Sequence, residues 1–281
     1  MNDKILIIDG YNMIHRCRFQ WGGGLAKGDN QIVYNFFRVL KSTIAEFSPD
    51  IVYFPLDGVP KARIDMDESY KANRAIDDSD PEVVAYWNYF REQKRKIISL
   101  LKRDYPVRVV FHPNQECDDL VNYIMKYVHT DNDVVIVSSD TDFIQILNEF
   151  PARVQLYNPV SKKYRQNTPY DYVAWKAMVG DKADNVAGVR GIGPKTAEKI
   201  LLKEGALTER LESPKFREPY EKSYNLIKFI DLKSEESNIM MTSSDLDIDS
   251  IESEFELMGF KSMLKEGYFE SYEQEFSRLK R

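Results

Sequence analysis

The chain has 281 residues, with 39 Lys and Arg against 45 Asp and Glu, a formal net charge of −6 and 43% hydrophobic residues. That apolar content suffices for one large domain or two joined ones, and no apolar run reaches the length of a membrane span. Cys17 and Cys117 form no CxxC pair and His15, His112 and His129 have no ligand spacing, which argues against a zinc site of nitrogen and sulfur. The start, MNDKILIIDG, has no basic n-region and no cleavage site, so a cytosolic protein with free thiols is expected. The acidic balance speaks against nucleic acid unless the bases cluster on a face of their own.

In chain order, Ile5–Ile8 reads as a buried strand that ends in Asp9-Gly10-Tyr11-Asn12. A short helix from Met13 is interrupted by Trp21-Gly22-Gly23-Gly24, and the Trp21–Lys27 stretch reads as a loop. Ile32 to Phe47 has helical apolar spacing. After Pro49, Ile51–Leu56 is a second strand, ending in Asp57-Gly58. Pro60 to Asp80 is a polar insert containing Ser69-Tyr70-Lys71-Ala72-Asn73-Arg74. On a helix Lys71 and Arg74 share a face, either as part of a site or as an ordinary solvated surface. Asp80-Pro81 starts a helix over Val83 to Leu101, with Arg91, Lys94, Arg95 and Lys96 outward.

Val107–Phe111 is a further strand, followed by Glu116-Cys117-Asp118-Asp119 in the first turn of a helix. One acid there would cap the turn; three that repel one another point to a cation. The stretch Val134 to Leu147, VVIVSSDTDFIQIL, is a strand that breaks at Asp140 and Asp142 and hands over to a helix. Those two acids are either helix caps or metal ligands. Arg153–Tyr157 is another strand, and Tyr170 to Val179 a helix closed by Gly180. Asp181 and Asp184 follow, then Val186 to Ala197, where Gly191-Ile192-Gly193-Pro194 has the form of a helix–hairpin–helix turn with Lys195 beside it. The remainder to Arg281 is mostly helical, with NLIKFIDL and FELMGF as packing elements.

Strands that repeatedly deliver an aspartate at the carboxyl end imply an α/β fold, because a parallel sheet lines those ends along one edge. Asp9, Asp57, Glu116, Asp118, Asp119, Asp140, Asp142, Asp181 and Asp184 could meet there. Hard oxygen ligands suit Mg²⁺ or Mn²⁺. So many acids exceed what one octahedral ion uses, and two ions are the device of phosphodiester hydrolysis.

The segments IIDGYN, FPLDG, YKANR, ECDDL, SSDTDF and GDKADNVAGVRGIGPKTA resemble, in order, the motifs of the 5′-nuclease family, the flap endonucleases and 5′→3′ exonucleases. YNPVSKKY and the length are similar to bacteriophage members, including those called phage ribonuclease H. The resemblance implies a mostly parallel central sheet flanked by helices (a PIN-like 5′-nuclease fold). It also implies a helical arch insert over about 60–104 within a nuclease core of residues 1–168. A helix–hairpin–helix (H3TH) subdomain and closing segments over 169–281 would complete the chain. It implies a first metal on Asp9, Asp57, Glu116 and Asp118, and a second served by Asp119, Asp140, Asp142, Asp181 and Asp184, some of them through water. Lys71 and Arg74 would grip the scissile phosphate and Tyr70 stack on a terminal base. Gly191, Ile192, Gly193, Lys195 and Thr196 would hold duplex, with K⁺ on the carbonyls of Val189 and Ile192.

The implied activity is Mg²⁺- or Mn²⁺-dependent cleavage of 5′ flaps, nicks, DNA ends and RNA–DNA primers by a monomer in the cytoplasm, the host's if the chain is of phage origin. A single-strand-binding protein, a clamp or a polymerase would be its protein partners. Two other readings stay open. One is an inactive DNA-binding scaffold of the same fold; the other is an Asp-x-Asp phosphatase with Asp140 as nucleophile and Asp142 as acid.

Overall fold

The computed structural model describes residues 2–19, 24–26, 28–77 and 79–281. Of the glycine-rich Trp21–Lys27 stretch only Gly24–Ala26 lies among them.

Strand β1 (Ile5–Ile8) runs through Asp9 into α1 (Gly10–Arg16), and α2 (Gln31–Phe47) follows. After β2 (Ile51–Leu56) come the short α3 (Lys61–Met66), a 3-10 turn at Ala72–Arg74 and the long α4 (Pro81–Asp104). Next are β3 (Arg108–Phe111), α5 (Cys117–Tyr123) with a π-helical extension to Val128, β4 (Val134–Val137), α6 (Ile144–Glu149), β5 (Val154–Asn158) and β6 (Lys163–Tyr164). A helical stretch follows: α7 (Tyr172–Val179), α8 (Pro194–Leu202), α9 (Ala206–Leu211) and α10 (Pro214–Ile227). The chain then returns through β7 (Met240–Thr242) to α11 (Ile248–Leu257) and α12 (Tyr268–Ser277).

Among the described residues the sheet has the order β6-β5-β4-β1-β2-β3-β7. The five central strands are parallel, and β6 and β7 close the two edges antiparallel. The fully apolar reading of β1, β2 and β4 has its cause here: each strand is covered on both faces. Alternation sends Leu6, Ile8, Val52, Phe54, Val135 and Val137 to a layer with α2, α4, α11 and α12. Ile5, Ile7, Tyr53, Val134 and Ile136 go to a layer with α5 and α6. A third core, built on Ala177, Met178, Ala197, Ile200 and Phe216, holds the helical stretch together.

The closing segments do not stay with that helical stretch. β7 joins the sheet beside β3, and Ile251, Phe255, Tyr272 and Phe276 pack into the α2–α4 layer. Tyr105 and Tyr272, both fully buried, share a hydroxyl–hydroxyl hydrogen bond of 2.8 Å. No helix of the described residues is long and apolar enough to cross a membrane.

Parallel order puts the carboxyl ends of β1, β2 and β4 side by side. The turn after β2 lies against the one after β3, so close that a Cβ on Gly58 would sit 2.1 Å from the His112 carbonyl oxygen. Only glycine fits there, and the approach carries Asp57 to the start of α5, whose Cys117 N–H donates to Asp57 Oδ1 at 2.8 Å.

Candidate active site

Five segments deliver carboxylates to that sheet edge. Asp9 caps α1, accepting the Asn12 N–H at 3.1 Å and the Ser138 hydroxyl at 2.7 Å. Burial first, then the charge of Asp57, pushes its carboxyl up to about 7. Burial raises Asp57 too, against the Cys117 N–H that stabilises its charge. Asp118 is pushed well up by burial and then by Asp140, Asp9 and Glu116. Such shifts mark acids gathered with too little positive charge between them.

Asp140 and Asp142 are not the caps of α6, whose N-cap is Phe143 and carries no side-chain bond. They form a tight turn instead, in which the Asp142 N–H donates to Asp140 Oδ1 at 2.9 Å and the Asp140 N–H to Ser138 Oγ at 3.0 Å. Carboxylate oxygens of Asp118, Asp140 and Asp142 come within 4.8 Å of one another, as do those of Asp142, Asp181 and Asp184. Asp142 is common to both groups. Asp118 therefore stands with Asp140 and Asp142 as well as near Asp9 and Glu116, with which the sequence groups it.

Asp119 is the clear departure. It is wholly buried, and its carboxylate accepts Arg63 Nη1 at 2.6 Å, Arg63 Nη2 at 2.8 Å, the Ile230 N–H at 2.7 Å and the Glu116 N–H at 3.3 Å. Four donors use the capacity of both oxygens, so the expectation of Asp119 as a metal ligand is corrected: it is a structural anion. Tyr70 also departs from expectation. Its ring is buried in the third core, and its hydroxyl donates to Glu116 Oε2 at 3.0 Å, so no face is offered to a base.

Lys71 and Arg74 do not share an α-helical face. Lys71 has φ 56° and precedes the 3-10 turn that holds Arg74. They converge because the insert is fastened to the loop before the hairpin: the Lys71 N–H donates to the Asp184 carbonyl at 2.9 Å, Asn73 Nδ2 to the Lys182 carbonyl at 2.9 Å and Asn185 Nδ2 to the Ser69 carbonyl at 2.8 Å. The Lys71 ammonium pairs with Glu116 and lies 3.5 Å from Asp184, which also pairs with Arg74.

Two cationic side chains escape the sequence reading, and a third is placed differently by the structure. Arg63, on α3, is buried between Glu116 and Asp119. Lys176, on α7, is buried with its ammonium on Asp142 and 2.5 Å from Asp181. Burial alone would lower it; Asp142 and Asp181 more than reverse that and hold it charged. A lysine inside the apolar run Tyr172–Val179 was a signal that could have found it, since buried charges are paired. Lys94, read as outward, instead turns its ammonium over the Tyr11 ring at 4.3 Å, towards Asp57. Beside these groups Glu116, Asp118, Asp142, Asp181 and Asp184 line a small cavity of about 10 Å³ with Arg63, Tyr70 and Phe229.

The hairpin lies between α7 and α8. Gly188, at φ 70°, has no room for a side chain, because a Cβ would meet the Gly180 nitrogen at 2.5 Å. The Val189 carbonyl accepts the Ile192 N–H at 3.1 Å, and Gly193 opens α8 with Pro194 in its first turn. Gly191, Gly193, Lys195 and Thr196 are exposed.

Residues 4–178 match the family model described as the 5′-3′ exonuclease N-terminal, resolvase-like domain, and residues 167–260 the 5′-3′ exonuclease C-terminal SAM fold. The chain belongs to the 5′-3′ exonuclease family. Among its relatives, the 5′-3′ exonuclease of Aquifex aeolicus is 28% identical over 295 residues, covering 93% of this chain and 94% of that one. The thermostable DNA polymerase I of Thermus thermophilus is 30% identical over 217 residues, covering 73% of this chain and 24% of the polymerase. This family member thus spans about a quarter of the polymerases it matches. In fold it is similar to the flap endonuclease of bacteriophage T5 solved with DNA and metal ions, with 21% identity, a TM-score of 0.62, and coverage of 80% of this chain and 86% of that one. The catalytic core of Rad2 in complex with DNA aligns over 98% of this chain and 92% of its own, with a TM-score of 0.53 and 14% identity.

Proposed function

We propose that the protein is a divalent-metal-dependent 5′ nuclease that hydrolyses phosphodiester bonds at 5′ flaps, nicks, DNA ends and RNA–DNA primers. The observation that carries this reading is the charge imbalance at one sheet edge. Nine carboxylates converge there, and Arg63, Lys71, Arg74 and Lys176 are the cations paired with them, a formal excess of five negative charges. Two divalent ions nearly balance that excess, and the donor set fits them: hard carboxylate oxygens from two overlapping groups. Asp118, Asp140 and Asp142 would hold one ion and Asp142, Asp181 and Asp184 the other, with Glu116 facing the same cavity beside them and Asp9 and Asp57 at the rim. When bound, such ions supply a nucleophilic water at neutral pH and charge for the transition state.

The chain's own residues complete the chemistry. Lys71 and Arg74 stand at the mouth of the cluster, where an ammonium and a guanidinium can meet the scissile phosphate as its charge builds. Asp9 and Ser138 keep the β1 and β4 turns together, so the carboxylates hold their spacing. The segment from α3 through α4 is the arch under which a single-stranded 5′ end passes, with Lys94 facing inward from it. The exposed Gly191–Thr196 turn takes the duplex phosphates on backbone N–H groups and Lys195, and the Val189 and Ile192 carbonyls are its K⁺ ligands.

End-labelled flap, nicked, blunt and RNA-primed substrates, incubated side by side with Mg²⁺, test the reading. Short 5′ products that vanish with EDTA and with Asp140→Asn are expected. Full cleavage by Asp140→Asn would remove the assigned site. An aspartyl-phosphate trapped on Asp140 would replace it with the phosphatase reading.

A further inference from the structure

Arg63 touches three stretches that are far apart in the chain. Its Nε donates to the Leu226 carbonyl at 2.9 Å and its Nη2 to the Lys228 carbonyl at 3.1 Å, at the C-terminal end of α10. The same guanidinium grips Asp119 with both Nη atoms and reaches Glu116 Oε2 at 2.9 Å through Nη1. Every part of the fork is used, and the side chain is 3% exposed. Asp119 extends the same junction by accepting the Ile230 N–H, and Gln145 adds a bond from its Nε2 to the Ile227 carbonyl at 3.2 Å.

The consequence falls on Glu116. Its Oε2 is claimed from the buried side by Arg63 and by the Tyr70 hydroxyl. Its Oε1 meets only Lys71 among the described residues, and that side chain is 20% exposed. The carboxylate is thus held from the buried side by Oε2, while Oε1, paired with Lys71, is its oxygen on the side of the cavity. We propose that Arg63 is the positioning residue of the metal centre. With Asp119 as its counter-anion, it orients Glu116 Oε1 towards the bound cation and fixes that orientation to the end of α10, which packs on the hairpin-bearing helices. Outer-sphere groups that orient a carboxylate act on affinity in this way. The inference rests on the proposed nuclease site, with Glu116 as a carboxylate that faces a divalent ion.

The experiment measures Mn²⁺ binding by electron paramagnetic resonance in DNA-free protein, alongside Mg²⁺-dependent flap cleavage. Arg63→Lys keeps the charge and loses the fork. Asp119→Asn keeps the shape and loses the counter-charge, so it serves if Arg63→Lys fails to fold. Both are expected to weaken Mn²⁺ binding by about tenfold or more. Both should raise the Mg²⁺ concentration for half-maximal cleavage by a similar factor, with the maximal rate restored at excess metal and flap affinity in EDTA unchanged. Unchanged Mn²⁺ affinity in both folded variants overturns the proposal, as does a rate that excess metal does not restore. So does tighter binding in Arg63→Lys with binding lost in Asp119→Asn, the pattern of Asp119 as a direct ligand. If the unaltered protein itself binds no Mn²⁺, the nuclease site fails instead.

Discussion

Lys176→Met separates the two ways in which this site can neutralise itself. Methionine keeps the length of the apolar stem and removes the ammonium from between Asp142 and Asp181. The lysine is 6% exposed, so its charge is screened little by water. Breaking a buried pair by removing one partner costs about 3–5 kcal/mol, because the other charge stays behind. For a chain of this size roughly 2 °C of melting temperature accompanies each kcal/mol, so the variant should melt about 6–10 °C lower in EDTA. Divalent metal should then recover more in the variant than in the parent. An ion that binds a hundredfold tighter adds about 2.7 kcal/mol of linkage, which is about 5 °C on the same scale. Differential scanning calorimetry of both proteins, with EDTA and with saturating Mg²⁺, reads all four values. Equal melting temperatures in EDTA would refute the buried pair. An equal gain from Mg²⁺ in both proteins would refute the idea that Lys176 and metal compete for Asp142 and Asp181.

Lys71→Ala should lower the single-turnover cleavage rate by about 10²–10³-fold, the range for loss of one preorganised donor to a developing anion; a rate within twofold of the parent would remove it from the chemistry. Tyr272→Phe should cost about 1–3 kcal/mol in urea unfolding, since it leaves the buried Tyr105 hydroxyl without its partner, while the double variant Tyr105→Phe/Tyr272→Phe should recover most of that loss. His15 is pushed down to about 4 by burial first and then by Arg18, Lys94 and Arg74. It is neutral in the folded chain and takes a proton near 6.5 when unfolded, so stability is full above 6.5 and falls as the pH drops to 4. With its part exposure taken into account the loss is about 1–2 kcal/mol, and His15→Gln should flatten the stability profile in that window.

Much of this was legible in the sequence, for a physical reason. Strands buried on both faces must be apolar throughout, so Ile5–Ile8, Ile51–Leu56 and Val134–Val137 stand out, and each hands over to a polar turn whose acid is visible beside it. The hairpin was legible because its glycines answer a local demand, the positive φ of Gly188 and Gly191. What the sequence hid are pairings made across the fold. Arg63 meets its acids 53 and 56 positions away, and Lys176 meets Asp142 at a distance of 34. Tyr70 stands among polar neighbours in sequence, yet the insert folds back on the 182–185 loop and buries it.

The same hidden pairings limit what counting acids can say. Asp118 and Asp119 are adjacent and chemically identical, and nothing in ECDDL tells them apart. On the first turn of α5 they point about 100° apart. Asp118 joins Asp140 and Asp142 at the cleft, while Asp119 faces inward to a guanidinium and two backbone N–H groups. One residue of helical phase therefore separates a group that joins the acids of the cleft from one that builds the frame around them. Because Arg63 spans that frame and Glu116 together, the division of labour among the acids is set by a cation, and the number of carboxylates at the edge overstates the number open to the cleft.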